Sequence, residues 1–335
     1  MMQLWERLSN SAKPYIIAEI AANHNGDRLL AERLIYKAKE AGVDCVKFQS
    51  WTKISLMIQS NYDNELERTL DQFSMTEEKL VDMKQLCNQI GIEFACTPFS
   101  KREIDFLVQL GVPFIKLSST ELTNIPLLQY AGATGLTIVL STGMGGSEEI
   151  AEAVSVLEQT GNTSIVLLHC VSVYPPKDEH VNLNNLDGLR ARYPYPIGFS
   201  DHTIGTAIPI AAAAKGARVI EKHFTLDKGL PGWDHQVSAT PEEMTQIVTD
   251  VGRIQSALGS FDRRLSEEEE RNRAFFRRSV VAAREIQAGK VIDYDDLDTK
   301  RPGTGLSPRL IGQIVGKAAT RTIGFDELLS ISDFE

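Results

Sequence analysis

Two histidines stand at the ends of neighbouring apolar runs. One is His202 in Gly198-Phe199-Ser200-Asp201-His202-Thr203, the other His223 in Val219-Ile220-Glu221-Lys222-His223-Phe224-Thr225. Each run reads as a buried strand that gives way abruptly to polar residues, and residues 205–215 between them carry a helical pattern. A strand, a crossover helix and a second strand make parallel neighbours, so both imidazoles fall at one edge of a sheet. Two neutral imidazoles converging on one point can hold a divalent metal that keeps positions open for substrate. Two unrelated core histidines are the plainer alternative; the matched placement of the pair favours the metal.

The same edge gathers other polar groups: Glu19 and His24, Lys47 and Gln49, Thr97, Lys116, Ser119 and Glu121, Ser141, His169 and Tyr174, Ser200 and Glu221. Strand ends are polar wherever they meet water, and that suffices for Thr97 and Gln49. It is a poor account of Lys47 and Lys116, which interrupt apolar strands with charges that need partners. Two lysines with Ser119, Ser141 and Ser200 suit a phosphate and a carboxylate. Ser141-Thr142-Gly143-Met144-Gly145-Gly146 opens a helix and adds backbone N–H donors, although glycine loops of this kind are most often only tight turns.

The elements that must position these groups alternate eight times. Apolar, β-rich runs cover 15–21, 43–48, 92–95, 114–117, 137–140, 165–169, 197–199 and 219–222. Helical patterns cover 29–41, 77–90, 101–110, 125–132, 147–158, 183–192, 205–215 and 241–258. Helices closing on Ala41-Gly42 and Ile90-Gly91 end as expected. Eight strand–helix units within about 260 residues predict a (β/α)8 barrel, whose reactive groups lie where strands end. An open doubly wound sheet would carry a phosphate-binding glycine fingerprint after its first strand, where this chain has Ala21-Ala22-Asn23-His24-Asn25-Gly26. Residues 51–75 form a connection of about 25 residues containing Trp51, Leu56, Met57 and Tyr62, which reads as a lid or substrate loop.

After Leu258 the pattern changes. An acidic stretch at 267–270 runs into Arg271, Arg273, Arg277 and Arg278, as in a solvated linker helix, and short strands and turns follow from Ser279. The boundaries are a barrel over 1–262, a linker over 263–278 and a small β-rich domain over 279–335 whose core is marginal for independence.

The 335 residues carry 42% apolar and 24% charged side chains, ordinary for a globular protein, and a net charge of −10 that argues against nucleic acid or an anionic membrane as partner. Met1-Met2-Gln3-Leu4-Trp5-Glu6 lacks the basic start and apolar run of a secretion signal. Cys45, Cys87, Cys96 and Cys170 show no metal-finger spacing. Three of them fall in apolar strand patterns, as reduced thiols packed in a cytoplasmic protein do.

In order along nearly the whole chain, the segments Ala18-Glu19-Ile20, Asn23-His24, Val46-Lys47-Phe48-Gln49, Thr97-Pro98-Phe99-Ser100, Lys116-Leu117-Ser118-Ser119, Glu121, Ser141-Thr142-Gly143-Met144, His169-Cys170, Tyr174-Pro175, Ser200-Asp201-His202-Thr203, Glu221-Lys222-His223, Pro231-Gly232-Trp233-Asp234 and Lys300-Arg301-Pro302-Gly303 resemble the sialic acid synthase family. The resemblance implies a (β/α)8 TIM barrel followed by a domain similar to type III antifreeze protein. It also implies condensation of phosphoenolpyruvate with an N-acetylated amino sugar to a nine-carbon 2-keto acid, and a domain-swapped homodimer. It makes His202 and His223 ligands of Mn²⁺ or Mg²⁺, and Lys47, Lys116, Ser119, Ser141 and Ser200 the phosphoenolpyruvate contacts. Glu19, Tyr174 and Asp234 then lie around the sugar, Glu121 near the reacting carbons, and Arg301 reaches the partner subunit's sugar. Either Glu19 or Glu121 would handle protons. Ser172 stands where family members often have Asn, and residues 227–238 form a bulky loop, so the acceptor stays open among N-acetylmannosamine, its 6-phosphate and a diacetamido-trideoxyhexose.

Under this reading the metal polarises the sugar aldehyde, C3 of phosphoenolpyruvate attacks it, water adds at C2 and phosphate leaves by C–O cleavage. Two rivals compete. A Schiff-base aldolase on the same barrel would use Lys116 or Lys47 as the amine and leave the histidine pair without work. A binding protein using the antifreeze-like domain would need a flat uncharged face, against Lys290, Asp293, Asp295, Asp296, Lys300 and Arg301.

Overall fold

The computed structural model describes residues 4–11, 13–61 and 63–335; Met1-Met2-Gln3, Ala12 and the loop aromatic Tyr62 lie outside the described residues. Strands β1 (Tyr15–Glu19), β2 (Cys45–Ser50), β3 (Glu93–Pro98), β4 (Phe114–Leu117), β5 (Thr137–Ser141), β6 (Ile165–Cys170), β7 (Ile197–Asp201) and β8 (Val219–His223) form one parallel sheet. Its order is β3-β2-β1-β8-β7-β6-β5-β4. Pairing of β1 with β8 in the register Glu19↔His223 joins the first strand to the last, and β3 packs beside β4, so the sheet is a nearly closed barrel.

Helices follow the strands at Arg28–Ala41, Glu77–Ile90, Lys101–Leu110, Ile125–Gly132, Ser147–Gln159, Asn185–Arg192, Ala207–Ala214 and Pro241–Leu258. Their starts are set by side-chain caps such as Asp27, Thr76 and Ser100 on orphan N–H groups. Gly42 and Gly91 end two of them at φ +85° and +73°, where a side chain would be strained.

The barrel interior has two layers because side chains alternate along each strand. Tyr15, Ile17, Cys45, Ala95, Phe114, Val139, Val166, Leu168 and Val219 fill the lower layer, plugged from below by Leu4 and Leu8 of the helix Leu4–Asn10. Gly198 in this layer leaves no space for a side chain: an added Cβ would lie 2.6 Å from Leu168 Cδ2 and 2.7 Å from the Val219 carbonyl. Above it, the inward positions turn polar. The opposite strand faces bury their apolar side chains against the helices.

The connection 51–75 is more ordered than its weak periodicity suggests. Thr52 and Asp63 cap two helices, Lys53–Leu56 and Asn64–Phe73. Trp51 is buried in a satellite cluster with Ala22, Leu70 and Phe73, with Leu56 packed against it. Trp51 therefore anchors the loop.

The chain divides into two compact units, Met1–Gly259 and Ser260–Glu335. The second begins with the charged helix Glu267–Phe276 and carries an antiparallel pair, β9 (Ser279–Ala282) and β10 (Leu297–Lys300). Val280, Ala282, Ile286, Ile292, Leu306, Ile314, Ala319, Ile323, Leu329 and Phe334 give it a core of its own. Lys290 and Lys300 pair with Asp296 and Asp326.

Candidate active site

The polar upper layer of the barrel surrounds a cavity of about 240 Å³. Each strand contributes through the same alternation. Glu19 enters from β1, Lys47 and Gln49 from β2, Thr97 from β3, Lys116 from β4, Ser141 from β5 and Cys170 from β6. Ser200 and His202 come from β7 and the residue after it, Glu221 and His223 from β8. Pairs two residues apart share a face, which is why Lys47 with Gln49 and Glu221 with His223 line one space. Ser119 and Tyr174 reach the cavity from loops.

Two buried lysines are balanced by two buried carboxylates. Lys47 Nζ lies 2.7 Å from Glu19 Oε2 and 3.7 Å from Glu221 Oε2, and donates to Thr97 Oγ1 at 2.9 Å. Lys116 Nζ donates to Ser141 Oγ at 2.8 Å and to the Leu117 carbonyl at 3.0 Å, 3.7 Å from Glu221 Oε1. Ser200 Oγ donates to Glu221 Oε1 at 2.9 Å, and Gln49 Nε2 to Glu19 Oε1 at 2.9 Å. Ser119 Oγ accepts the Gly143 N–H at 3.0 Å, tying the helix-opening loop to the cavity wall.

The carboxylates differ in kind. Burial pushes Glu19 up to about 7, Lys47 opposing and Glu221 adding to the rise. Burial would raise Glu221 too, but Lys116 and Lys47 outweigh it and hold this carboxyl down to about 2. Lys47 is raised because its two carboxylates prevail over burial, whereas burial lowers Lys116. Glu221 is thus the fixed anion between two cations, and Glu19 is the carboxyl able to gain or lose a proton near neutrality.

His202 and His223 converge, their ring centroids 5.4 Å apart, with the Tyr174 ring 4.0 Å from His202. His202 Nδ1 lies 2.8 Å from the Val171 carbonyl, which can only accept, so Nδ1 carries a proton. Burial would lower this imidazole, but Cys170 and the Val171 carbonyl outweigh it and raise it, and its neutral form has the Nε2 lone pair free. Burial keeps His223 neutral, and its buried Nδ1 has no hydrogen-bond partner among the described residues. Asp234 Oδ2 stands 3.7 Å from that Nδ1, its carboxyl raised by burial. Among the described residues no group of three or more His, Cys, Asp or Glu side chains is placed to hold a metal ion; the two imidazoles could serve as ligands to a cation.

Not every expected residue arrives. Glu121 accepts from Thr120 Oγ1 at 3.0 Å and Asn124 Nδ2 at 2.6 Å, turned into its own loop and away from the cavity lining. His24 accepts the Gly26 N–H and packs on Phe48, a turn element. His169 points outward and donates to the Val181 carbonyl. Arg301 belongs to the second unit, its guanidinium over the Phe276 ring. Thr97 and Gln49, expected to be polar only because strand ends meet water, are instead buried or half-buried partners of Lys47 and Glu19. Cys170 lines the cavity 3.9 Å from His202, and only the inward phase of β6 reveals it. A wider hollow of about 530 Å³ adjoins across Met144, Cys170 and Ser172 and runs out to Arg192; it contains neither the lysines nor the histidine pair.

With this geometry in hand, comparison with known proteins is specific. Residues 34–263 match the NeuB family and residues 277–335 the SAF domain. The chain is 40% identical over 317 residues to N,N'-diacetyllegionaminic acid synthase of Legionella pneumophila, covering 90% of this chain and 89% of that protein. It is 38% identical to the Campylobacter jejuni protein of the same name, covering 95% and 99%. The crystal structure of N-acetylneuraminic acid synthetase from Leptospira borgpetersenii is 34% identical, with a TM-score of 0.73 over 78% of this chain and 91% of that one.

Proposed function

The chain belongs to the NeuB family, and from that premise we propose that it condenses phosphoenolpyruvate with an N-acetylated amino sugar and water to a nine-carbon 2-keto sugar acid and phosphate. The observation that carries this reading is the cavity in which Lys47 and Lys116, with Ser141 and Ser200, face a convergent histidine pair. Relatives named for N,N'-diacetyllegionaminic acid favour an acceptor bearing two acetamido groups.

Lys47 and Lys116 take the phosphate and carboxylate of phosphoenolpyruvate, exchanging their carboxylate partners for the substrate's anionic oxygens. C3 of phosphoenolpyruvate bonds to the aldehyde carbon, whose oxygen takes up a proton. Water adds its oxygen at C2 and gives up a proton, and the C2–O bond to phosphate breaks as the C2 hydroxyl passes its remaining proton to the departing phosphate and becomes the keto oxygen. Glu19 carries the proton exchanged with water or the new hydroxyl; Glu121, held by Thr120 and Asn124, does not. His202 and His223 fit a divalent cation, Mn²⁺ or Mg²⁺, through the Nε2 lone pair of one and the neutral ring of the other. Such a cation supplies Lewis-acid polarisation of the aldehyde oxygen. The active species is a homodimer in which Arg301 serves the partner's sugar, and four buried free thiols suit a reducing cytoplasm.

The deciding measurement is phosphate release from phosphoenolpyruvate against a panel of N-acetylated hexosamines, on EDTA-treated protein with and without Mn²⁺. Release dependent on both sugar and metal is expected, greatest with a diacetamido sugar, and His202→Ala or His223→Ala abolishes it. Borohydride trapping of Lys116 or Lys47 with pyruvate and no phosphate release would establish the Schiff-base aldolase instead.

A further inference from the structure

Asp201 and Lys222 form an ion pair just outside the cavity. They face each other in the β7–β8 ladder, one residue before His202 and one before His223. Alternation turns both away from the cavity into the layer between barrel and helices. Their side chains are 0% and 1% exposed. The surroundings are hydrocarbon: Phe199, Ile220 and Phe224 of the same outward faces, and the Ala207–Ala214 helix, AIPIAAAA, packed on both strands. Lys222 Nζ donates to Asp201 Oδ2 at 2.6 Å and to the Thr203 carbonyl at 2.7 Å. Asp201 Oδ1 accepts the Thr203 N–H at 2.9 Å.

His202 is therefore flanked by two residues, Asp201 and Thr203, that are both tied to one ammonium group. That ammonium belongs to the residue between Glu221 and His223. Taking two charges out of water is costly, and an apolar pair of similar volume often serves stability as well or better. Stability alone is a weak reason for this pair, whereas a fixed distance between two strand ends is a good one. We propose that Lys222 and Asp201 are positioning residues that lock the His202 turn to β8, setting the spacing at which the two imidazoles share a divalent cation. The role in metal binding rests on the function proposed above.

The test uses the full-length protein and two charge-free double variants. D201N/K222M keeps an acceptor for the Thr203 N–H, and D201L/K222M removes it. Mn²⁺ is titrated into the metal-free proteins and free Mn²⁺ is read by electron paramagnetic resonance. The reactivity of each histidine with diethyl pyrocarbonate is read by peptide mass spectrometry without metal. The expected result is folded variants whose Mn²⁺ affinity falls about tenfold or more, as when a metal ligand loses its outer partner, with faster modification of His202. A folded double variant with wild-type affinity and wild-type reactivity overturns the proposal. Failure of both variants to fold assigns the pair to folding and overturns it as well. Wild-type protein that binds no Mn²⁺ refutes the metal reading by itself, and histidine reactivity then decides whether the pair positions the turn.

Discussion

A cation held between carboxylates and a cation held by hydroxyls do different work. Among the described residues, Lys116 has Ser141 Oγ and a carbonyl at hydrogen-bond distance, with Glu221 at 3.7 Å. Its charge is the less committed of the two, and Lys116→Ala should raise the apparent KM for phosphoenolpyruvate by at least about tenfold and lower kcat, the size expected for losing a charged hydrogen bond. Steady-state kinetics in each substrate check this; a change in the sugar's KM alone would remove Lys116 from the phosphoenolpyruvate site. Glu19 sets a pH dependence. Its carboxyl rises from 4.5 to about 7, so the folded protein binds this proton more tightly than the unfolded chain. The stabilisation is complete below the unfolded value and is lost as pH rises through about 7, a difference on the order of 3 kcal/mol. Urea unfolding of metal-free protein at pH 5 and 8 should show this loss in wild type and a smaller one in Glu19→Gln. Equal slopes in the two proteins would contradict the assignment.

At the scale of elements, the loop 51–75 packs on a satellite cluster apart from the main core and should behave as a separate unit. Phe73 packs in the cluster with Trp51 and Leu70 and meets the Trp233 ring edge-on at 5.2 Å. Phe73→Ala should lower the free energy of local opening by about 3 kcal/mol. Hydrogen exchange would show faster labelling across 51–75 with the barrel's protection unchanged; equal loss throughout would mean that the loop is part of the global unit. The loop's helices were hard to read because their signals are caps, Thr52 and Asp63, rather than a long apolar period. The strands were legible wherever β-branched residues run together, as in Thr137-Ile138-Val139, but several extend one or two residues further into polar sequence. Asp201 remains in strand because Lys222 of the neighbouring strand supplies a partner for a carboxylate that a reader of sequence assigns to water. The phase of each strand decides the rest. Glu221 and His223 face inward while Lys222 between them faces out, and composition does not distinguish these directions.

The whole molecule joins a barrel that holds the reacting groups to a unit with its own core and an exposed Arg301. If that arginine serves the partner's barrel, inactive Arg301→Ala mixed with inactive His223→Ala under subunit exchange regains activity. A mixed dimer then pairs one intact barrel with one intact arginine, and recovery approaches half a site per dimer on a statistical count. Verified mixed dimers without activity would place Arg301 in its own chain's service or outside the reaction. The two-part architecture was readable from the change of pattern after Leu258, whereas service of a partner's barrel by Arg301 was an expectation from the family resemblance alone, since a sequence names a residue without naming the copy it serves.

The four thiols of this chain are chemically unequal. Burial pushes Cys45 and Cys96 well above the ordinary thiol range and Cys87 up to about 12. Cys170 is buried too, but His202, Ser119 and Lys116 outweigh burial and bring it below that range. Its sulfur lines the cavity, so the protein contains a built-in chemical gauge of occupancy. Iodoacetamide should alkylate Cys170 ahead of the other three, and phosphoenolpyruvate should slow that labelling in proportion to the fraction of sites filled, giving a binding curve with no need for turnover, a tag or a coupled assay.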